Sequence, residues 1–190
     1  MIPFPDKKYK IIYADPPWRY SDKLSFHGGG AEAHYNTMSI EDICNLPVNS
    51  ITDSDAILFL WGTWPQLPEC LKVVKSWGFT YKTIAFVWVK QYSNGKDVLG
   101  LGRWTRGNTE FCLLAVKGKP KRIDQGTSQL IKTKIQKHSK KPDIVREKIV
   151  RLIGDLPRIE LFARQKTVGW DVWGNDEKLN LKPLEEYQFE

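Results

Sequence analysis

The apolar residues of this chain fall into short blocks separated by polar, Gly- and Pro-rich stretches, and the spacing within each block assigns an element. Tyr9–Ala14 is β-branched and aromatic and stops at Asp15-Pro16-Pro17, where proline removes backbone donors, so a strand is predicted to end at that motif. Residues Arg19 to Met38 are polar and contain Gly28-Gly29-Gly30, which predicts a long loop before Ser39 caps a short helix through Leu46. Ala56 to Trp61 reads as a buried strand. Thr63 and Pro65 then open a helix ending near Gly78, with Leu67, Leu71, Val74 and Trp77 spaced by three and four. Phe79 to Val89 and Glu110 to Val116 are strand-like, joined by a second Gly-rich loop over Tyr92 to Asn108. A polar strand is expected at Gln129 to Ile135, a helix from Pro142 with Val145, Ile149 and Leu152 on one face, and a last core strand at Arg158 to Ala163. The order βαβαββαβ implies an α/β fold, and without an internal repeat or linker residues 1–190 read as one domain.

Composition narrows the class. The longest apolar run is far short of the roughly 20 residues that span a bilayer, and Met1 to Lys10 has no apolar signal region, so no membrane partner and a cytoplasmic location are expected. Cys44, Cys70 and Cys112 form no C-x-x-C pair, which predicts reduced, buried thiols rather than a disulfide framework or zinc site. His27, His34 and His138 lack metal-ligand spacing with carboxylates, so no metal is expected. The net charge of +7 favours a polyanionic partner, although such charge also serves solubility. It concentrates in the stretch from Lys117 to Lys141, which holds nine Lys or Arg residues against the single acid Asp124. A solvated face is the ordinary reading of such a run; contact with nucleic-acid phosphates is the sharper one.

Asp15-Pro16-Pro17-Trp18 carries the chemistry. Its chance occurrence in a chain this long is on the order of one in several thousand, and a Pro-rich turn with a packing Trp is the bland alternative. The exocyclic N6 of adenine is a poor nucleophile because its lone pair is delocalised into the ring. An Asp15 carboxylate and a Pro16 carbonyl can accept both N6 hydrogens, draw the nitrogen towards tetrahedral geometry and stabilise the charge that develops on it. The prolines fix φ and hold Asp15 extended, setting these acceptors in advance. Trp18 offers a flat face for stacking the purine.

These residues, with Tyr35-Asn36-Thr37-Met38-Ser39, Leu58 to Trp61, Trp88-Val89-Lys90, Gly102-Arg103-Trp104, Glu110 through Gly118, Ser139 to Pro142, Ile159 to Arg164 and Gly174-Asn175, resemble the adenine-N6 methyltransferases that include the catalytic subunit of the messenger-RNA methylase and its bacterial and phage relatives. The resemblance implies a class I S-adenosylmethionine-dependent methyltransferase fold, Rossmann-like, in permuted motif order. That order agrees with the residues, since too little chain precedes Asp15 for a nucleotide-binding βα unit. It also implies S-adenosyl-L-methionine as cofactor, with Asp15 at the methionine amino group and Lys141 at its carboxylate. Leu161, Phe162, Arg164, Asn175 and Asp176 would lie on the backbone and ribose side of the pocket. Tyr35, Ser139 and Lys141 would flank the target base beside Trp18. The family often has Gly where Ala163 stands, and Lys166 and Thr167 depart from its pattern and receive no role.

Other features weigh towards bland readings. Gly100-Leu101-Gly102 lacks the third glycine of a dinucleotide loop and reads as a hinge or loop tip. Trp61, Trp88 and Trp173 are expected in the core, while Trp104 and Trp170 fall in loops. The expected function is methyl transfer to adenine N6 in nucleic acid, with DNA favoured over RNA and a homodimer allowed. The rivals are an RNA N6-adenosine methyltransferase, a non-catalytic nucleic-acid-binding partner subunit, a methylase of small molecules or protein amides, and a purely structural domain.

Overall fold

The computed structural model describes residues 3–19, 37–100, 102, 104–136 and 140–174. Among them seven strands form one sheet: β1 (Tyr9–Ala14), β2 (Thr52–Gly62), β3 (Thr80–Gln91), β4 (Thr109–Lys117), β5 (Leu130–Lys134), β6 (Arg158–Leu161) and β7 (Asp171–Trp173). Their spatial order is β5-β3-β4-β2-β1-β6-β7. β1 pairs in parallel with β2 and β6, β6 with β7, and β3 with β5, while β4 runs antiparallel to both β2 and β3. All strands but β4 therefore share one direction, and the C-terminal ends of β1, β2, β3, β6 and β7 lie along one edge. The expected α/β class and Rossmann-like architecture hold.

The helices among the described residues, α1 (Ile40–Cys44), α2 (Val48–Ile51), α3 (Leu67–Ser76) and α4 (Ile144–Ile153), cover the sheet. β2 shows why its run is continuously apolar: Ala56, Leu58 and Leu60 enter one core cluster and Ile57, Phe59 and Trp61 the other. Both faces are covered, so polar alternation has no place. The first cluster takes in α1, α2 and α3, through Ile43, Val48, Ile51, Cys70, Val73 and Val74; the second takes in α4, through Val145, Ile149 and Ile153.

Local chemistry sets the helix ends. Ser39 caps α1 by accepting from the Asp42 N–H at 3.1 Å, as expected. A 3-10 turn over Trp64–Gln66 precedes α3. Gly78, at φ 81°, ends that helix while its N–H donates to the Lys75 carbonyl and that of Phe79 to the Val74 carbonyl, a Schellman closure that needs the left-handed residue.

Several expectations are corrected. The buried face of α3 is Cys70, Val73 and Val74, continued by Trp77, and Leu71 is exposed, because the 3-10 entry turns the helix from the phase that Leu67 suggests. On α4 Ile153 is buried where Leu152 was expected, and Leu152 is only half-buried. The strand at Arg158 stops at Leu161 and is followed by β7, too short and too polar at Asp171 to be read from periodicity. Trp170, assigned to a loop, is 5% exposed and packs in the second core cluster beneath the Arg158 guanidinium. The thiols of Cys70 and Cys112 are buried and that of Cys44 is half-buried; none is bonded to another. No helix among the described residues is long and apolar enough to cross a membrane.

Candidate active site

β1 lies at the point where the chain's progress across the sheet reverses: its successor β2 sits on one side and the later β6 on the other. In open α/β sheets ligands bind in the crevice outside the strand ends at such a switch point. Ala14, the last residue of β1, is in register with Leu60 on one side and Leu161 on the other, so Asp15 and Phe162 emerge together into this crevice.

The Asp-Pro-Pro-Trp segment is held rigidly there. The Pro16 carbonyl accepts from the Trp18 N–H and the Pro17 carbonyl from the Met38 N–H, each at 2.9 Å. The prolines lack donors of their own, but both carbonyls are engaged. A carbonyl has two lone pairs, so Pro16 keeps one for a ligand. Trp18 is corrected further: it is 5% exposed and donates from Nε1 to the Trp61 carbonyl at 3.1 Å, so its ring is a core wall beneath the motif rather than an open stacking face. The tight Pro16 turn folds the indole inward, where its N–H finds a buried acceptor. Trp61 in turn donates from Nε1 to the Tyr13 hydroxyl at 2.7 Å and meets Trp88 edge to face.

Four charges converge on this floor. Lys141 Nζ lies 2.9 Å from Asp15 Oδ2 and 3.3 Å from Glu110 Oε2, and Lys90 Nζ lies 2.5 Å from Glu110 Oε1. Lys141 also sits over the Trp61 ring, 5.6 Å from its centroid, and Lys90 over Trp88 at 5.3 Å. Burial pushes the Asp15 carboxyl above the usual carboxylate range, against the pull of Lys141 and Arg164. Glu110 is buried too, but its two ammonium neighbours outweigh the desolvation and hold it below its usual value. The two carboxylates more than offset desolvation of Lys141 and raise its affinity for the proton. The group is thus two carboxylates and two ammonium ions, balanced in charge.

Lys141 reaches Asp15 because α4 is pinned to the sheet just beyond it. Arg146 donates from Nε and Nη2 to both carboxylate oxygens of Glu160 on β6, each at 2.7 Å, and from Nη1 to Asp143 at 2.9 Å. Glu160 is in register with Tyr13, so the pin stands one residue short of the strand ends that carry the site.

Phe162 has φ 60°. A bulky residue in the left-handed region is an outlier that persists only where surrounding structure over-determines it. Its ring is held edge to face on Trp173, which stacks on Phe4 at 4.5 Å. Ala163 donates its N–H to the Trp173 carbonyl at 3.1 Å, and a Cβ on Gly174 would meet the Ala163 carbonyl at 2.5 Å. The backbone at the ends of β6 and β7 is therefore closely packed, and turns from the extended conformation at Phe162, beside Asp15. Leu161 has a fully buried side chain, so only its backbone is available to a ligand, and Arg164 is exposed.

Of the expected site residues, Asp15, Pro16, Lys141, Phe162 and the Leu161 backbone are brought to one edge, with Arg164 near enough to act on the Asp15 charge. Tyr35, Ser139, Asn175 and Asp176, and the three histidines, lie outside the described residues. Among the described residues no cluster of His, Cys, Asp or Glu side chains could hold a metal ion. Glu110 and Lys90 are site members to which the sequence alone assigns no role. Their signal is nonetheless present: each is a charge adjoining a run of apolar residues in its strand, Phe86 to Val89 before Lys90 and Phe111 to Val116 after Glu110, where burial demands a partner.

Comparison with known proteins accords with this geometry. The MT-A70 family model matches residues 9–176. The chain is 39% identical over 188 residues to the type II methyltransferase M.MunI of a Mycoplasma species, covering 90% of this chain and 78% of that protein. It is 31% identical over 177 residues to the human N(6)-adenosine-methyltransferase catalytic subunit METTL3, and 30% identical over 174 residues to an N(6)-adenosine-methyltransferase MT-A70-like protein of Drosophila melanogaster. These two matches cover 88% of this chain but only 28% and 27% of the relatives. A matched span that contains the Asp15 motif, the Glu110 strand and the Lys141 segment together leaves one assignment: the chain belongs to the MT-A70 family of adenine-N6 methyltransferases.

Proposed function

We propose that the protein transfers a methyl group from S-adenosylmethionine to N6 of an adenine in DNA. The observation that carries the reading is the Asp15 carboxylate, held at the switch-point crevice next to the one remaining lone pair of Pro16 and paired with a buried lysine. The preference for DNA rests on the extent of the match, which covers most of a type II methyltransferase and about a quarter of the N(6)-adenosine enzymes.

The residues fit the cofactor by their chemistry. Asp15 is an acceptor suited to the methionine ammonium, Lys141 a donor suited to its carboxylate, and the left-handed turn at Phe162 lies beside them on the side assigned to the nucleoside half. When bound, S-adenosylmethionine supplies an electrophilic methyl on a sulfonium. This chain's own residues then act on the adenine. Asp15 and the Pro16 carbonyl accept the two N6 hydrogens, which localises the nitrogen lone pair. The Asp15 charge stabilises the positive nitrogen of the transition state, and its carboxylate then takes the surplus N6 proton as the methylated amine becomes neutral. Glu110 and Lys90 keep Lys141 protonated and stationary while its partners change.

Lys141 pairs with Asp15 in the structure, a second contact beside the carboxylate assigned to it. Two roles for one ammonium are compatible, since it carries three donors and already divides them between Asp15 and Glu110. The deciding experiment supplies methyl-labelled S-adenosylmethionine with single-stranded DNA, duplex DNA and RNA, then digests the products to nucleosides. N6-methyladenine from DNA is the expected outcome. N6-methyladenosine from RNA alone would move the substrate to the alternative polymer, and label on cytosine or on protein would overturn the reading.

A further inference from the structure

We infer that Trp64 is a fixed platform on which a nucleobase neighbouring the target adenine stacks; the inference rests on the nucleic-acid reading above. Trp64 opens the turn that leaves the C-terminal end of β2, three residues beyond Trp61, whose carbonyl anchors the Asp15 motif through Trp18. It therefore stands on the edge where Asp15 emerges. The side chain is held in two ways: Nε1 donates to Thr109 Oγ1 at 2.8 Å, and the ring lies tilted on Phe111 with centroids 5.0 Å apart. Thr109 is the residue before Glu110, so the pin ties the indole to the strand that carries the charged floor of the site.

Despite two anchors, 46% of Trp64 remains exposed. An exposed apolar residue is by itself ordinary. Here, however, the indole N–H is already satisfied by Thr109 while aromatic surface is left in water. A ring already immobilised loses little entropy when it takes a partner, which is what a stacking surface requires. Arg19 shares the rim, since its carbonyl accepts from Gln66 Nε2 on the same turn at 3.4 Å, while its guanidinium donates from Nε to Thr37 Oγ1 at 3.4 Å. A flat, rigid, sequence-indifferent surface at the mouth of a base-modifying site matches a base in a single-stranded or flipped segment. Trp104 is also aromatic and on this edge, but at 99% exposure it has no wall to hold it.

The test measures binding of a fluorescein-labelled, mixed-sequence single-stranded DNA by anisotropy for the parent protein, Trp64→Ala, Trp64→Phe and Trp104→Ala. Trp64→Ala should weaken binding roughly 5- to 160-fold, the range for one base–aromatic stack, while Trp64→Phe retains most of the affinity. Replacing the nucleotides that flank a single adenine by abasic residues should weaken the parent by a similar factor and leave Trp64→Ala little changed. Calorimetric titration with S-adenosylmethionine should give the parent constant for every variant, which shows that the fold and cofactor site are intact. Parent-like DNA binding by Trp64→Ala, in a protein whose parent form methylates adenine, overturns the platform alone. An equal loss with intact and abasic DNA, a loss that follows Trp104→Ala instead, or sedimentation showing that Trp64 joins two copies of the chain does the same. A parent protein that transfers no methyl to any nucleic acid overturns both this inference and the function on which it rests.

Discussion

Asp15 and Glu110 face the same ammonium ion but are displaced in opposite directions, and that difference separates catalysis from stability. Asp15 must be ionised to hold the N6 hydrogens, and burial raises its proton affinity, so the rate of methyl transfer should fall with acid at a higher pH than an ordinary aspartate would give. For Glu110 the folded value lies below the unfolded one. Its contribution to stability is therefore complete above about 4.3 and is lost as pH falls through the lower folded value. Single-turnover rates and melting temperatures measured across the same pH series should accordingly break at different points, activity first. Coincident midpoints would mean that acid simply unfolds the site. Asp15→Asn keeps the shape and one acceptor but removes the charge, and at saturating cofactor should slow transfer by about a hundred- to a thousandfold. A near-parent rate would make the carboxylate structural. Lys141→Ala should raise the apparent cofactor constant more than it lowers the saturated rate, because its assigned contact to the methionine carboxylate is present in both ground and transition states.

At the level of elements, the site depends on where α4 is fastened. Arg146 and Glu160 form a buried bidentate pair with side chains 9% and 10% exposed, and breaking one partner of such a pair leaves an uncompensated charge that costs about 3 to 5 kcal/mol. Arg146→Ala should therefore lower the melting temperature by roughly 2 to 4 °C for every kcal/mol of destabilisation, and should also loosen Lys141 from Asp15. Arg146→Met with Glu160→Leu should recover much of the stability, since the isosteric apolar pair carries no desolvation cost. A melting temperature as low as that of the single variant would refute this account. Strands β1, β2 and β4 were legible in the sequence because each contains an apolar run that is largely buried, β3 because β-branched and aromatic residues recur along it although its first four residues are exposed, and the motif at Asp15 because prolines end its strand visibly. β7 and the inward fold of Trp18 were not legible. Both depend on partners distant in the chain, β7 on its pairing with β6 and Trp18 on the Trp61 carbonyl, and neither leaves a local period. The charged floor lay between these cases: the residue types were visible, but only the antiparallel insertion of β4 beside β2 brings Glu110 to Lys141.

For the whole molecule, the net charge of +7 acquires a location. β5 is the edge strand of the sheet, and Lys132 and Lys134 alternate outward along it, in register with Val89 and Gln91 towards the edge that carries the site. Two physical accounts compete. Lysines on an exposed edge strand discourage pairing with a second sheet, a purely protective role. Alternatively they meet phosphates of a nucleic acid whose adenine is seated at Asp15. Lys132 lies 3.9 Å from Asp97, a long ion pair with about half of each side chain in solvent, so its charge is left largely available to a polyanion. Replacing Lys132, Lys134 and Lys137, the last of which lies outside the described residues, by Ala discriminates between them. If these lysines neutralise phosphates, affinity for DNA should fall for every sequence tested, and the slope of log affinity against log salt should flatten by roughly 0.7 to 0.9 for each phosphate left without its lysine. If the lysines only guard the edge, the slope should stay at the parent value while light scattering reveals association of the variant. The slope is the deciding quantity, because a structural disturbance of β5 would lower affinity without changing the number of counterions released.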